Sequence, residues 1–304
     1  MDMLLDPAFL ASVPRFVVPV LLAALGGALC ERAGVFNIAL EGFVLVGAFA
    51  AVAGSWLGES ALLGIVFACL AGAAMGLVFA EFSVRRGGDA IVTSVALNLL
   101  AIGLTTYLLR ALFGVTGAFR DARIDGLGTL DLPILAGWPV LGPLLSGQSP
   151  LLLVAVLTAL LLHLGLARHR LGLRLRAAGE APAALVAGGV SVRRVRTGAL
   201  VACGVLCGLA GAQLSISNVN LFVENMSAGR GWIAVVAVLL TRGRPLPLLG
   251  VAILFGTADS LSVRIQGLGL PQQATDALPY LVTLVALVVA SVWRLRRSAP
   301  GAAS

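Results

Sequence analysis

Six polar side chains lie within or at the ends of long apolar runs: Asn37, Glu41, Asn98, Glu224, Arg230 and Asp259. Such groups are costly in hydrocarbon, so each is a candidate either for lining a conduit or for bonding one helix to another. Asn37 and Glu41 are four apart in GVFNIALEGFVLVGAF, a spacing that puts both on one face of a helix. Phe36 and Phe43 flank them, Asn98 stands in the middle of a later run, and Trp232 follows Arg230 in SAGRGWIAVVAVLL. Phe36, Asn37, Glu41, Phe43, Asn98 and Trp232 are the pathway candidates, being flat or neutral hydrogen-bonding groups with a single carboxylate. Glu224, Arg230 and Asp259 read as a gate or a salt-bridged bend, with Glu224 in reach of Arg230. The plainer reading of all these residues is that they pair to fix helix register.

Catalytic and metal chemistry find no support. His163 and His169 flank one end of a single apolar run, and HExxH, GxSxG and CxxC are absent. Cys30, Cys69, Cys203 and Cys207 all stand inside apolar runs and read as small buried hydrophobes. All 21 basic residues are arginine. Without a lysine no P-loop can form, so any ATP must be bound and hydrolysed by another chain. No catalytic, metal or cofactor residue is expected here.

These side chains must be positioned by membrane helices. Apolar residues are 59% of the 304 and charged residues 12%, against roughly half and a quarter in soluble domains. Leu-, Ala- and Val-rich runs without strict alternation select helices over a barrel. The expectation is an all-α polytopic bundle forming one domain over 1–304. About nine segments (eight to ten) can be marked: 14–30, 34–54, 61–82, 90–110, 150–167, 198–217, 224–241, 246–263 and 277–293. With the N-terminus outside, 15 arginines fall in the cytoplasm and six outside, which orients the chain N-out, C-in. Arginines in short clusters between spans set topology, so the net charge of +7 does not call for nucleic acid. Only 11 uncharged residues separate Arg230 from Arg242, so the seventh segment is expected to cross from near Glu224 through a broken stretch.

Two loops are long. The stretch 111–149 carries Asp121, Asp125 and Asp131 with many Gly and Pro residues and an apolar patch from Leu130 to Leu145. It faces outside, where it could meet a delivery protein. The stretch 168–197 holds seven arginines and one acid, Glu180. It is the strongest partner-binding candidate, with a short helix expected from Pro182 to Ala187 after a break at Gly179. Gly72-x3-Gly76 and Gly204-x3-Gly208 read as close helix packing. A faint repeat aligns Ala33–Leu45 with Ala228–Leu240.

Three blocks carry a family resemblance: CERAGVFNIALEGFVLVGAFAA (30–51), GLRLRAAGEAPAALVAGGVSVRRVR (172–196), and MSAGRGWIAVVAVLLTRGRPL with GVAILFGTADSL (226–261). From about residue 14 to 293 the chain resembles permeases of bacterial ATP-binding-cassette importers for nucleosides, simple sugars and branched-chain amino acids. Its Asn-Ile-Ala-Leu-Glu-Gly is similar to the nucleoside permeases, where sugar permeases have Ile-Asp-Leu-Ser-Val-Gly and amino-acid permeases Ser-Leu-Gly-x-Gly. The second block resembles Arg-Ala-x-Gly-Glu-x-Pro, matched by Arg176, Ala177, Gly179, Glu180 and Pro182. The resemblance implies that this loop, with Ala183 and Gly188, docks an ATPase. It also implies a second permease subunit, identical or paralogous, an ATP-binding subunit that holds the ATP, an extracytoplasmic substrate-binding protein and an inner-membrane location. Thr241-Arg242-Gly243-Arg244 departs from the pattern, since relatives have a bulkier residue near Gly243. An ion-coupled secondary transporter is the rival from another class, and its acids would be concentrated at the midplane. An intramembrane enzyme lacks a nucleophile and base pair.

Overall fold

A computed structural model gives the architecture and describes residues 6–130, 141–266 and positions 281, 282, 284, 285 and 288. Helix α1 (Pro7–Arg32) opens on Asp6, whose carboxylate accepts from Ala8 N–H, with Pro7 in the first turn. Helix α2 is Leu40–Gly58. Helix α3 (Ala61–Phe79) continues as a π-helical turn, Ala80–Arg85. Asp89 starts α4 (Ala90–Phe113) by accepting from both Ile91 and Val92 N–H. A short α5 (Leu141–Leu145) precedes α6 (Pro150–Arg168), which Ser149 caps. Then come α7 (Arg170–Glu180), α8 (Pro182–Ala187) and α9 (Val192–Ala212), which runs into a second π-helical turn, Gln213–Ser217. The 12-residue α10 (Arg230–Thr241) and the 22-residue α11 (Pro245–Gln266) follow.

Seven of the described helices are long and apolar enough to cross a membrane. The eighth, α10, has 12 residues and is about 18 Å long at 1.5 Å per residue, short of a core of about 30 Å. Turns and a two-residue strand precede it, so the broken stretch expected before Arg230 is present. That strand, β2 (Phe222–Val223), pairs antiparallel with β1 (Ala118–Phe119). The ninth expected segment, 277–293, lies almost wholly outside the described residues, as does most of the patch 130–145.

The centre of the bundle is α9 packed against α1, α2 and α3. Glycines permit this approach. A methyl group at Gly72 would collide with the Gly204 carbonyl, and one at Gly208 with that of Ala68. The two small-residue motifs expected to pack do pack, against each other.

Two boundaries differ from the sequence reading. The expected second segment, 34–54, is not one helix, because residues 34–39 are irregular and α2 begins at Leu40. Gly34 takes φ +72°, and its Cα side faces Gly179 of α7 so closely that a side chain would clash. Arg196 Nε donates to the Ala33 carbonyl at 3.1 Å, which fixes the break from outside the segment. The Pro182–Ala187 helix forms as expected, but Gly179 does not break the chain. It lies within α7, and the break falls at Ala181, φ −146° and ψ 65°.

Candidate functional site

Helix α10 begins inside the bundle, where its first N–H groups have no intrahelical acceptors. Glu41, in the first turn of α2 and 7% exposed, supplies the acceptors. Gly229 N–H donates to its Oε1 at 2.8 Å and Gly231 N–H to its Oε2 at 2.7 Å. A carboxylate at a helix N-terminus also faces the positive end of the helix dipole. Gly231 allows the contact, since a methyl group there would meet the Glu41 backbone.

The start of α2 is held in the same manner. Asn98, on α4, accepts from Gly42 N–H at 2.8 Å and donates through Nδ2 to the Ile38 carbonyl at 3.0 Å. Ser94 Oγ accepts from Ile38 N–H at 3.2 Å. Asn37 accepts from Ala39 N–H at 2.8 Å, and its Nδ2 faces the sulfurs of Cys30 (3.8 Å) and Cys203 (3.6 Å). Asn37 is therefore not on the helix face that carries Glu41, because it precedes α2. Phe43 is fully buried and meets Phe79 edge-on at 6.5 Å. Phe36 and Trp232 are 39% and 43% exposed and stand apart from this polar cluster. Of the six pathway candidates, four are thus packed into the junction of α2, α4, α9 and α10, and two face outward.

The proposed gate residues are rearranged. Glu224 does not meet Arg230. Its Oε1 accepts from Gly117 N–H at 3.1 Å, beside the β1–β2 pair. Arg230 faces Asp259 of α11 instead, Nε to Oδ2 3.4 Å, without hydrogen-bond alignment at Nε. The pairing spans 29 residues of sequence, and nothing in the local pattern favoured it over Glu224.

At the far end of α10 the expected coupling residues meet the bundle. Arg32, the last residue of α1, donates from Nε to the Gly243 carbonyl at 3.1 Å and lies 3.8 Å from Glu180 of α7. Arg196 Nη2 donates to the Ala178 carbonyl at 3.1 Å. Arg176 is half-buried with Nε unpaired among the described residues. Pro182, Ala183 and Gly188 are exposed around the buried Leu185. The segment therefore presents a free outer face while its inner face is bonded to α1, α9 and the residues after α10.

At the bundle end that carries Glu224, a loop after α4 covers the helix tips. Phe113 and Phe119 stack at 3.9 Å, Trp56 packs edge-on to Phe113 at 5.2 Å, and Arg123 lies 4.2 Å over the Trp56 ring. The Arg123 backbone N–H, and then its guanidinium, hold the Asp121 carboxyl below the usual carboxylate range. Among the described residues no three His, Cys, Asp or Glu side chains are grouped to hold a metal.

A helical membrane bundle with a half-length helix clamped in its interior and an arginine-rich helical pair docked at one end is a permease architecture. The chain belongs to the family described as the permease component of the branched-chain amino acid transport system, which matches residues 9–289. It is 32% identical to the guanosine ABC transporter permease protein NupQ of Bacillus subtilis, over 90% of this chain and 88% of that one. It is 30% identical to the nucleoside ABC transporter permease protein NupC of Lactococcus lactis (92% and 90%). A glucose ABC transporter permease protein of Haloferax volcanii is 32% identical (88% and 73%). A solved structure described as an inward-facing metal-chelate type ABC transporter shares the fold, with TM-score 0.50 at 16% identity over 94% and 90% of the two chains. The chain is thus the permease component of an ABC transporter, a multi-pass protein of the inner membrane.

Proposed function

We propose that this permease moves nucleosides inward, as one half of a membrane conduit. In this reading the whole chain is one domain that crosses nine times, N-terminus outside and C-terminus inside. It pairs with a second permease, and a partner subunit binds and hydrolyses the ATP while this chain catalyses nothing. An extracytoplasmic binding protein delivers the solute to the end that carries Trp56, Phe113 and Phe119. The observation that carries the coupling is the seating of α7 and α8: Glu180 and Arg196 tie them to the ends of α1 and α9, while Pro182, Ala183 and Gly188 stay exposed to a partner. Closure of the ATPases would push this pair and rock the helices between two facings.

The nucleoside assignment is supported by Asn-Ile-Ala-Leu-Glu-Gly at 37–42, by NupQ and NupC, and by the charge state of the interior. Glu41 is matched by two N–H groups and Arg230 by Asp259, so neither of these charges stands free for a zwitterion. The glucose permease relative favours a sugar as the second reading. Uptake of labelled adenosine, guanosine, uridine, glucose, ribose and leucine by the assembled transporter, each in competition with the others, tests both. Nucleoside uptake that survives a proton uncoupler and stops on ATP depletion is expected. Uptake of glucose, ribose or leucine with no response to any nucleoside would overturn the assignment and leave the permease standing.

A further inference from the structure

Beyond α9 the chain switches to a π-helical turn, closed by Asn218 N–H donating to the Gln213 carbonyl at 3.0 Å. Such turns occur disproportionately at functional positions because they re-aim side chains. Here the turn presents residues to two cavities that share Arg15 and Asn218 as a common wall. The larger, about 480 Å³, is bounded by Phe16, Leu214, Leu221 and Met226, with Arg230 at its side. Its volume falls within the range of small-molecule sites, about 300–1,000 Å³. The smaller, about 70 Å³, is polar and lined by Thr129, Gln148, Gln213 and Ser217.

Gln213 is 2% exposed. Its Nε2 donates to Asn218 Oδ1 at 2.9 Å, and Asn218 Nδ2 donates in turn to the Arg15 carbonyl at 3.2 Å. That chain fixes the orientation of the Gln213 amide and leaves Oε1 as a buried acceptor with no partner among the described residues. A buried unpaired carbonyl beside a polar cavity is an unmet demand for a donor. Arg230 is matched by Asp259, so the large lobe offers a neutralised cation beside the Phe16 ring, 5.8 Å away. Arg15 lines both cavities, and its guanidinium has no acid partner among the described residues.

We infer that these adjoining cavities form a nucleoside-binding site within this subunit, the base lying in the apolar lobe against Phe16 and a ribose hydroxyl reaching past the shared wall to donate to Gln213 Oε1. The inference rests on the nucleoside reading above. A flat base needs the apolar wall, and a hydroxyl-bearing sugar needs the acceptor. A simple sugar would leave the larger lobe without a matching face, and a zwitterion would lack an acid for its ammonium. Arg15 suits the ring nitrogens and carbonyl of a base.

The test uses the assembled transporter with its native binding protein, reconstituted in liposomes, and compares guanosine with 2′,3′-dideoxyguanosine. A site that hydrogen-bonds a substrate hydroxyl discriminates against the analogue without it. Gln213→Met keeps the size and removes the acceptor. The uptake ratio of guanosine to the dideoxy analogue is expected to fall about fivefold to tenfold in the variant, while the binding protein's own contribution to the ratio is unchanged. An unchanged ratio, with wild-type guanosine uptake intact, overturns the site and spares the nucleoside assignment. Wild-type transport of glucose alone sinks the assignment and this site together. Should Gln213→Met fail to assemble, Val219→Cys in a background without the four native cysteines serves instead, because Val219 lines the larger lobe. Guanosine is expected to slow its alkylation, and alkylation at the same rate with and without guanosine rejects the site.

Discussion

Removing the Glu41 carboxylate should loosen α10 before it affects any chemistry of transport. Two charge-assisted bonds, at 2.8 and 2.7 Å, end on that carboxylate, and such bonds are worth about 1.5–3 kcal/mol each. Facing a helix N-terminus adds up to about 2 kcal/mol in a partly buried setting. Glu41→Ala also leaves the Gly229 and Gly231 N–H groups unpaired away from water, so a loss of about 3–6 kcal/mol is expected. That is a large share of a stability of about 5–15 kcal/mol. Glu41→Gln keeps one carbonyl for two donors and turns an NH₂ towards the other, for a loss of about 2–3 kcal/mol. Glu41→Asp, one methylene shorter, cannot span both N–H groups and should fall between these variants and wild type. The measurement is the thermal midpoint of the detergent-solubilised permease, followed by size-exclusion fluorescence, with uptake measured in parallel below the midpoint. The order wild type, Asp, Gln, Ala is expected, with uptake falling in step. Full thermal stability for Glu41→Gln combined with abolished uptake would refute the reasoning and return Glu41 to the lining of the conduit.

Three other perturbations follow from the same packing. Gly204→Val on α9 drives a branched side chain into the Gly72 carbonyl of α3 and should prevent accumulation of folded protein, whereas Gly103→Ala on α4, with open space around it, should be neutral in the same expression assay. In a cysteine-free background, Ala187→Cys on α8 should be shielded from an impermeant thiol reagent in whole cells and Ala122→Cys should be labelled; the reverse pattern inverts the orientation. Glu180→Arg with Ala183→Glu should leave the permease folded and reduce uptake at least tenfold by rewriting the charge that a partner meets, and normal uptake with an ATPase still co-purifying would place the coupling elsewhere.

The parts of this molecule that composition and spacing determine were legible. Apolar runs set the spans, and the two Gly-x3-Gly motifs announced a close contact because only small residues let backbones meet in lipid. What tertiary contacts decide was not. Residues 34–39 read as helix because they open the apolar run 34–54, yet the segment is held irregular by Gly34 against Gly179 and by Arg196 on Ala33. The partner of Arg230 was sought six residues away at Glu224 and found 29 residues away on α11. Glu41 and Asn98 were singled out because polar groups in apolar runs are costly, and their partners in the structure are backbone N–H and C=O groups that no side-chain pattern encodes. Gln213 drew no notice because it follows an Ala- and Gly-rich helix end and carries no charge. The aligned pair Gly34 and Gly229 does share a positive φ, although the helices that follow begin at different offsets, Leu40 and Arg230.

The position of α10 gives the coupling loop a short mechanical path to the interior. Arg32 bonds the carbonyl of Gly243, two residues after α10 ends, and faces Glu180 at the end of α7, so α7 and the C-terminal end of α10 share one side chain. The other end of α10 is held by Glu41 of α2 and, through Arg230, by Asp259 of α11. A 12-residue helix fixed at both ends moves as a rod rather than bending, because its own hydrogen bonds are intact and its ends are anchored. Under the proposed coupling, a displacement of α7 would reach the N-terminus of α10, beside the cavity that Arg230 borders, without passing through the glycine-packed centre of α3 and α9. In that proposed route the irregular residues 34–39 would serve as a joint between α1 and α2, with Gly34 at positive φ in contact with α7 itself. A continuous helix from 34 to 54 would lack that joint, so the proposed coupling route depends on this departure from the sequence pattern.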